Sequence, residues 1–200
     1  GVTAGIYLAM YAKKGFLTKF LRICIETLSS LPSIVVGLFG YLVFLVFFGL
    51  GKSLLAGALS VSILAIPVIT TTTEDAINGL PGHYLQASLG LGATRWQSIY
   101  KVVIPAAGSG ILSGIILGLA RAFGEALAVA MVIGQTTALP KGLFSTTKSL
   151  TTEIAAQMGN ATEGGEMKTA LWTMALLLFL LSLLFILLIH YFSRPKKDKE

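Results

Sequence analysis

From Ala170 to Phe192 the chain runs without a single Asp, Glu, Lys or Arg. A helix of about 20 apolar residues, rising 1.5 Å per residue, is what crosses the roughly 30 Å hydrocarbon core of a bilayer. The stretch is not isolated. Leu28–Leu50 and Leu54–Thr72 have the same character, Ser109–Gly134 is as apolar apart from Arg121 and Glu125, and Gly1–Ala12 is a fifth apolar segment, too short to cross and read as a span cut at its start in a chain that begins without Met. Hydrophobic residues make up 54% of the 200 and charged residues 12%, and the mean hydropathy is +0.82. That is more apolar surface than a single soluble core buries. Backbone groups in lipid must be satisfied within the segment, so spans of this kind are helices. The expectation is an all-α, polytopic membrane helical bundle, truncated at its N-terminus. The 22 glycines lie among apolar residues with no tripeptide repeat, which suits close helix packing in lipid. The single cysteine, Cys24, excludes an internal disulfide framework.

The basic residues orient the spans. Five alternating segments put Lys13, Lys14, Lys19, Arg22, Arg95, Lys101, Arg194, Lys196, Lys197 and Lys199 on one side, and Lys52, Lys141, Lys148 and Lys168 on the other. Ten against four places the first set, with the basic tail 193–200 and the C-terminus, in the cytoplasm. The net charge of +6 is thereby explained without nucleic acid, since the cations are spread over three loops with no aromatic-lined groove.

Between two apolar segments lies a more polar island, 79–105. Gly92 interrupts it and Pro105 closes the run Val102, Val103, Ile104, so two short helices meeting at a glycine elbow are expected. The spacing resembles the Glu-Ala-Ala loop of ABC-importer permeases, with Gln86, Ala87 and Ser88 in the lead positions, Gly92 at the glycine, and Val102, Ile104 and Pro105 at the end. Gln86 stands where that family has its acid, and Ser88 where it has its second alanine. The resemblance implies a MetI-like type I ABC transmembrane domain, a coupling loop resting on a cytoplasmic ATPase dimer, and a second permease subunit facing this one.

Intramembrane charge is concentrated in the segment Ser109–Gly134. At 100° per residue, Gly110, Gly114, Gly118, Arg121, Glu125 and Ala128 share an arc about 80° wide. The glycines admit a close helix neighbour, while Arg121 and Glu125 must face the bundle or a wet cavity, each costing about 2.5 to 3.5 kcal/mol in lipid. Two roles compete: a pair one turn apart that neutralises itself and locks packing, or a guanidinium fork offered to a tetrahedral oxyanion with Glu125 tuning it. Ala120–Glu125 resembles the Arg-Ala-x-Gly-Glu element shared by phosphate, molybdate and sulfate importers. Ala128–Gly134 and Leu31–Gly40 resemble the phosphate-specific permease, and within it the PstC-type subunit more than the PstA type. This implies uptake of inorganic phosphate by alternating access across a bacterial inner membrane, with a PstA-type partner and an extracytoplasmic phosphate-binding protein. No phosphate loop ending in Lys-Ser or Lys-Thr is present, so ATP and Mg are expected on the separate ATPase, and this chain is not expected to be an enzyme.

The remaining features are weaker. Pro67 is expected to kink the third span. Ser29, Ser30 and Ser33, and Thr70–Thr73, suit either helix-end capping or the lining of an exit path. His83 and His190 lack metal-ligand spacing. The loop 135–169, with a short helix over Thr152–Met158, is the expected landing place for the external protein. A secondary carrier or anion channel is the rival transporter, although no internal repeat of helix pairs is found. An intramembrane enzyme would need a nucleophile with its base, or a His-rich metal set.

Overall fold

The computed structural model describes residues 1–13 and 15–192, and every regular element among them is helical. Lys14 and the expected basic tail 193–200 lie outside the described residues. The helices are α1 (Val2–Met10), α2 (Phe16–Ser30), α3 (Ser33–Gly40, continued by a π-helical stretch Tyr41–Phe47), α4 (Leu54–Asn78), α5 (His83–Gly90), α6 (Arg95–Ser98, continued by a π-helical stretch Ile99–Val103), α7 (Ile104–Ala106), α8 (Gly108–Phe123), α9 (Leu127–Val132), α10 (Leu150–Gln157) and α11 (Glu166–Phe192). Among them, α4 and the 166–188 part of α11 are long and apolar enough to cross a membrane unaided. The chain divides into two compact units.

The first unit comprises Gly1–Ser29, Ile66–Leu119 and the chain from Ile186 onward. Its centre is the second half of α4, flanked by glycines of two other helices. A Cβ placed on Gly5 of α1 would lie 2.7 Å from the Thr70 carbonyl oxygen and from Thr73 Cβ, and one on Gly110 of α8 would lie 2.6 Å from Ala76 Cβ. A Cβ on Gly114 would meet Thr72 Cβ at 2.9 Å. Gly118 is also buried. Gly110 and Gly114 of α8 thus both lie against α4. Thr70 Oγ1 donates to the Ile66 carbonyl at 2.8 Å, Thr71 to that of Pro67 and Thr72 to that of Val68. These hydroxyls return to their own helix. Ile77, Val103, Ala107 and Ile111 form the buried cluster below, with Val2, Ile6 and Leu85 against it.

The second unit comprises Ser30–Ala65 and Ala120–Phe185. Here α3 packs on α9: a Cβ on Gly37 would stand 2.7 Å from Ala128 Cα, and Val36, Leu64 and Ala128 are buried together. The turn before α4 uses Gly49 and Gly51, both at positive φ, where a side chain would be strained. The first turn of α4 needs acceptors for its free amides. It finds them in the loop after α9, with Leu54 N donating to the Ser145 carbonyl at 3.0 Å and Leu55 N to that of Leu143 at 2.9 Å.

Three expectations change. The polar stretch after Gly1–Ala12 is a 15-residue helix, α2, and the next helix starts only after Pro32. The third span continues past Thr72 to Asn78. The segment 109–134 is not one helix: it stops at Phe123 and restarts at Leu127. Arg121 and Glu125 therefore do not share a helical arc.

Candidate functional site

The island 79–105 is built as an elbow. α5 ends with Leu91 N donating to the Ala87 carbonyl at 3.1 Å, and the chain reverses at Gly92, whose φ is +84°. Only glycine adopts that angle without strain. Thr94 then caps α6 in a reciprocal box, its hydroxyl accepting from Gln97 N while Gln97 Oε1 accepts from Thr94 N at 2.9 Å. The widened turns over Ile99–Val103 precede Pro105, which lacks the N–H needed to continue an α-helical ladder. Ser98, Ile99 and Val103 face inward and are buried, and Val102 and Ile104 are half-buried.

The opposite surface is open. Gln86, Ala87 and Pro105 are exposed, Leu91 is 90% exposed at the tip, and Trp96 stacks on Tyr100 with both rings in solvent. Ser88 has a partner that the spacing did not reveal: its hydroxyl donates to Ser98 Oγ across the elbow at 2.9 Å, and Ser98 donates on to the Thr94 carbonyl. The departure from alanine at position 88 is a clasp between the two helices. Arg95, read from the sequence only as a topological charge, turns back onto α1. Its guanidinium donates to the Met10 carbonyl and lies 5.5 Å from the centre of the Tyr11 ring. Contacts between residues 85 positions apart in sequence leave no local signal.

In the second unit, the break after Phe123 is held by Glu125. Its Oε1 accepts from Ala128 N at 3.1 Å, capping the first turn of α9, and its carbonyl accepts from Thr151 Oγ1 at 2.9 Å. One oxygen of the Glu125 carboxylate is thus taken by the backbone, and of the two roles weighed for Arg121 and Glu125, the self-neutralising pair is not formed among the described residues. Arg121 is exposed, and among the described residues no hydrogen bond or ion pair reaches its guanidinium. Beside it, Phe123 stacks on Phe185 of α11 at 4.6 Å. The signal for the break was Gly124 followed by a residue able to cap, a pattern masked by the apolar periodicity continuing on both sides.

The arrangement resolves further on comparison with known proteins. The profile of the family described as "Binding-protein-dependent transport system inner membrane component" matches residues 1–197. Relatives include the "Probable ABC transporter permease protein YqgH" of Bacillus subtilis, 46% identical over 90% of this chain and 60% of its own length. The "Phosphate transport system permease protein PstC" of Haemophilus influenzae is 31% identical over 86% of this chain and 62% of its own. "Phosphate transport system permease protein PstA 2" of Mycobacterium bovis is 35% identical over 98% of this chain and 66% of its own. This chain therefore spans less than two thirds of the length of each. Among solved structures, an inward-facing conformation of the MetNI methionine ABC transporter aligns over 96% of this chain and 86% of that one, with a TM-score of 0.73 at 18% identity. That likeness is one of fold, and it agrees with the MetI-like type I transmembrane fold expected from the sequence.

Proposed function

We propose, starting from the fact that this chain belongs to the binding-protein-dependent transport system inner membrane component family, that it is a permease subunit of an ATP-driven importer of inorganic phosphate in a bacterial cytoplasmic membrane. The observation that carries the substrate class is the free guanidinium of Arg121. With Glu125 occupied in capping α9, the positive charge is left uncompensated among the described residues, as an oxyanion site needs and a packing pair does not. The names of the PstC and PstA 2 relatives favour phosphate over molybdate or sulfate, whereas the name of the YqgH relative carries no substrate. Relatives of both Pst types match, so the PstC-type reading rests on the motifs Ala128–Gly134 and Leu31–Gly40.

The rest of the reading follows the elbow. Its exposed Leu91, Trp96 and Tyr100 form an apolar docking surface for a cytoplasmic ATPase dimer that binds ATP and Mg, with shape and apolar contact replacing the acid absent at Gln86. ATP-driven closure of that dimer would move this elbow and that of a second, PstA-type permease subunit, exposing the Arg121 region alternately to a docked extracytoplasmic phosphate-binding protein and to the cytoplasm. The C-terminus is cytoplasmic in this reading. Proteoliposomes holding the assembled complex test it: labelled phosphate uptake should require ATP on the ATPase side and added binding protein. Arg121→Gln should abolish uptake while the complex still assembles. Wild-type uptake by an assembled Arg121→Gln complex overturns the Arg121 role, uptake driven by an ion gradient alone overturns the importer, and stronger competition by molybdate or sulfate than by phosphate moves the substrate to that anion.

A further inference from the structure

The least expected element is α2, and its two faces differ sharply. At 100° per residue, Phe16, Leu17, Phe20, Leu21, Cys24 and Leu28 fall within about 140°, while Lys19, Arg22 and Glu26 fall within about 60° on the other side. The apolar arc is largely bare: Phe16 is 87% exposed, Leu17 68% and Phe20 53%. Arg22, on the polar arc, pairs with Glu74 of α4, whose side chain is 10% exposed.

That ion pair sets a depth. α4 has 25 residues, about 37 Å at 1.5 Å per residue, longer than a hydrocarbon core of about 30 Å. Its charged last turns, with Glu74 and Asp75, therefore belong at the membrane–water boundary, and Arg22 holds the middle of α2 at the same level. A helix kept at that depth with one bare apolar arc and cations opposite matches an interface, where apolar side chains enter the acyl boundary and Lys and Arg meet phosphates. At the start of α2 lies a depression of about 520 Å³ whose described lining, Ala12, Gly15, Phe16, Thr18, Lys19 and Arg22, includes two cations. We infer that α2 lies on the bilayer surface, its Phe16–Leu17–Phe20 arc seated in the lipid and Lys19 over the phosphates of anionic headgroups, while Arg22 stays paired with Glu74. The inference rests on the membrane family of the chain and is independent of the phosphate reading.

The test uses the assembled transporter in nanodiscs containing phosphatidylglycerol, with Cys24→Ser as background and a nitroxide placed through Leu17→Cys, Phe20→Cys or Lys19→Cys, assembly being checked by gel filtration. Labels at positions 17 and 20 should collide preferentially with oxygen, and a label at 19 with a water-soluble nickel chelate. Labels at 17 and 20 shielded from both reagents would mean that a protein subunit covers the arc, and labels open to nickel would mean water; either overturns the inference. In the unlabelled complex, Lys19→Gln should lower the preference for nitroxide-labelled phosphatidylglycerol over phosphatidylcholine by about fivefold. An unchanged preference removes the anionic headgroup from the assignment.

Discussion

The contact between α8 and α4 offers a test in which the two substitutions differ only in which helix carries a methyl group. In Gly110→Ala the new Cβ would stand 2.6 Å from Ala76 Cβ, and the next atom it meets is Ala76 Cα at 3.6 Å. Ordinary carbon contacts lie at about 3.5 to 4.0 Å, so the helices are roughly 1 Å too close for two methyls. Overpacking of this size costs about 1 to 3 kcal/mol, while replacing a helical glycine by alanine returns about 0.5 to 1 kcal/mol. The single variant should therefore be destabilised by between about 0 and 2.5 kcal/mol, which is why the coupling and not the single value carries the test. Ala76→Gly alone should lose about 0.5 to 1 kcal/mol of helix propensity. In the double variant the propensity changes cancel and the clash disappears, leaving stability near that of the parent and a coupling energy of about 1 to 3 kcal/mol. Unfolding of the purified protein by sodium dodecyl sulfate in mixed micelles, followed by circular dichroism, measures all four corners. Additivity within about 0.5 kcal/mol would refute the claim that Gly110 is required by the Ala76 methyl.

Other substitutions probe the elbow and the break. Ser88→Ala removes the donor to buried Ser98 and should cost about 0.5 to 1.5 kcal/mol, read as faster amide exchange over residues 83–98 with the rest of the chain unchanged. Gly92→Ala forces a side chain to φ +84° at a cost of about 1 to 2 kcal/mol, and should sensitise the elbow to proteolysis more than Gly90→Ala, where a Cβ meets nothing within 4 Å. Glu125→Ala should lose the cap on Ala128 N and about 0.5 to 2 kcal/mol in the same detergent unfolding assay. Glu125→Gln, which keeps an acceptor oxygen, should lose little; equal losses in the two would show that the carboxylate charge matters and the cap does not.

Much of this protein is local, and that much was legible. Apolar runs such as Ala170–Phe192 require a helical membrane class because lipid leaves the backbone no external partner. Gly92 and Pro105 mark an elbow because their backbone constraints act wherever they stand, and Gly110 and Gly114 recur on one helical face whatever lies opposite. The tertiary structure decided what each local feature is for. It supplied Ala76 and Thr72 as the neighbours of those glycines, Ser98 as the partner of Ser88, and the end of α1 as the seat of Arg95. It separated Arg121 from Glu125, because Ala128 N competes for the carboxylate and Thr151 anchors the carbonyl from 26 residues away. It turned a basic loop into α2, whose polar arc is held by Glu74 far along the chain. Periodicity reports which residues share a face, but the atoms that satisfy a hydroxyl, a carboxylate or a guanidinium come from distant segments, and only packing brings them within 3 Å or so of each other.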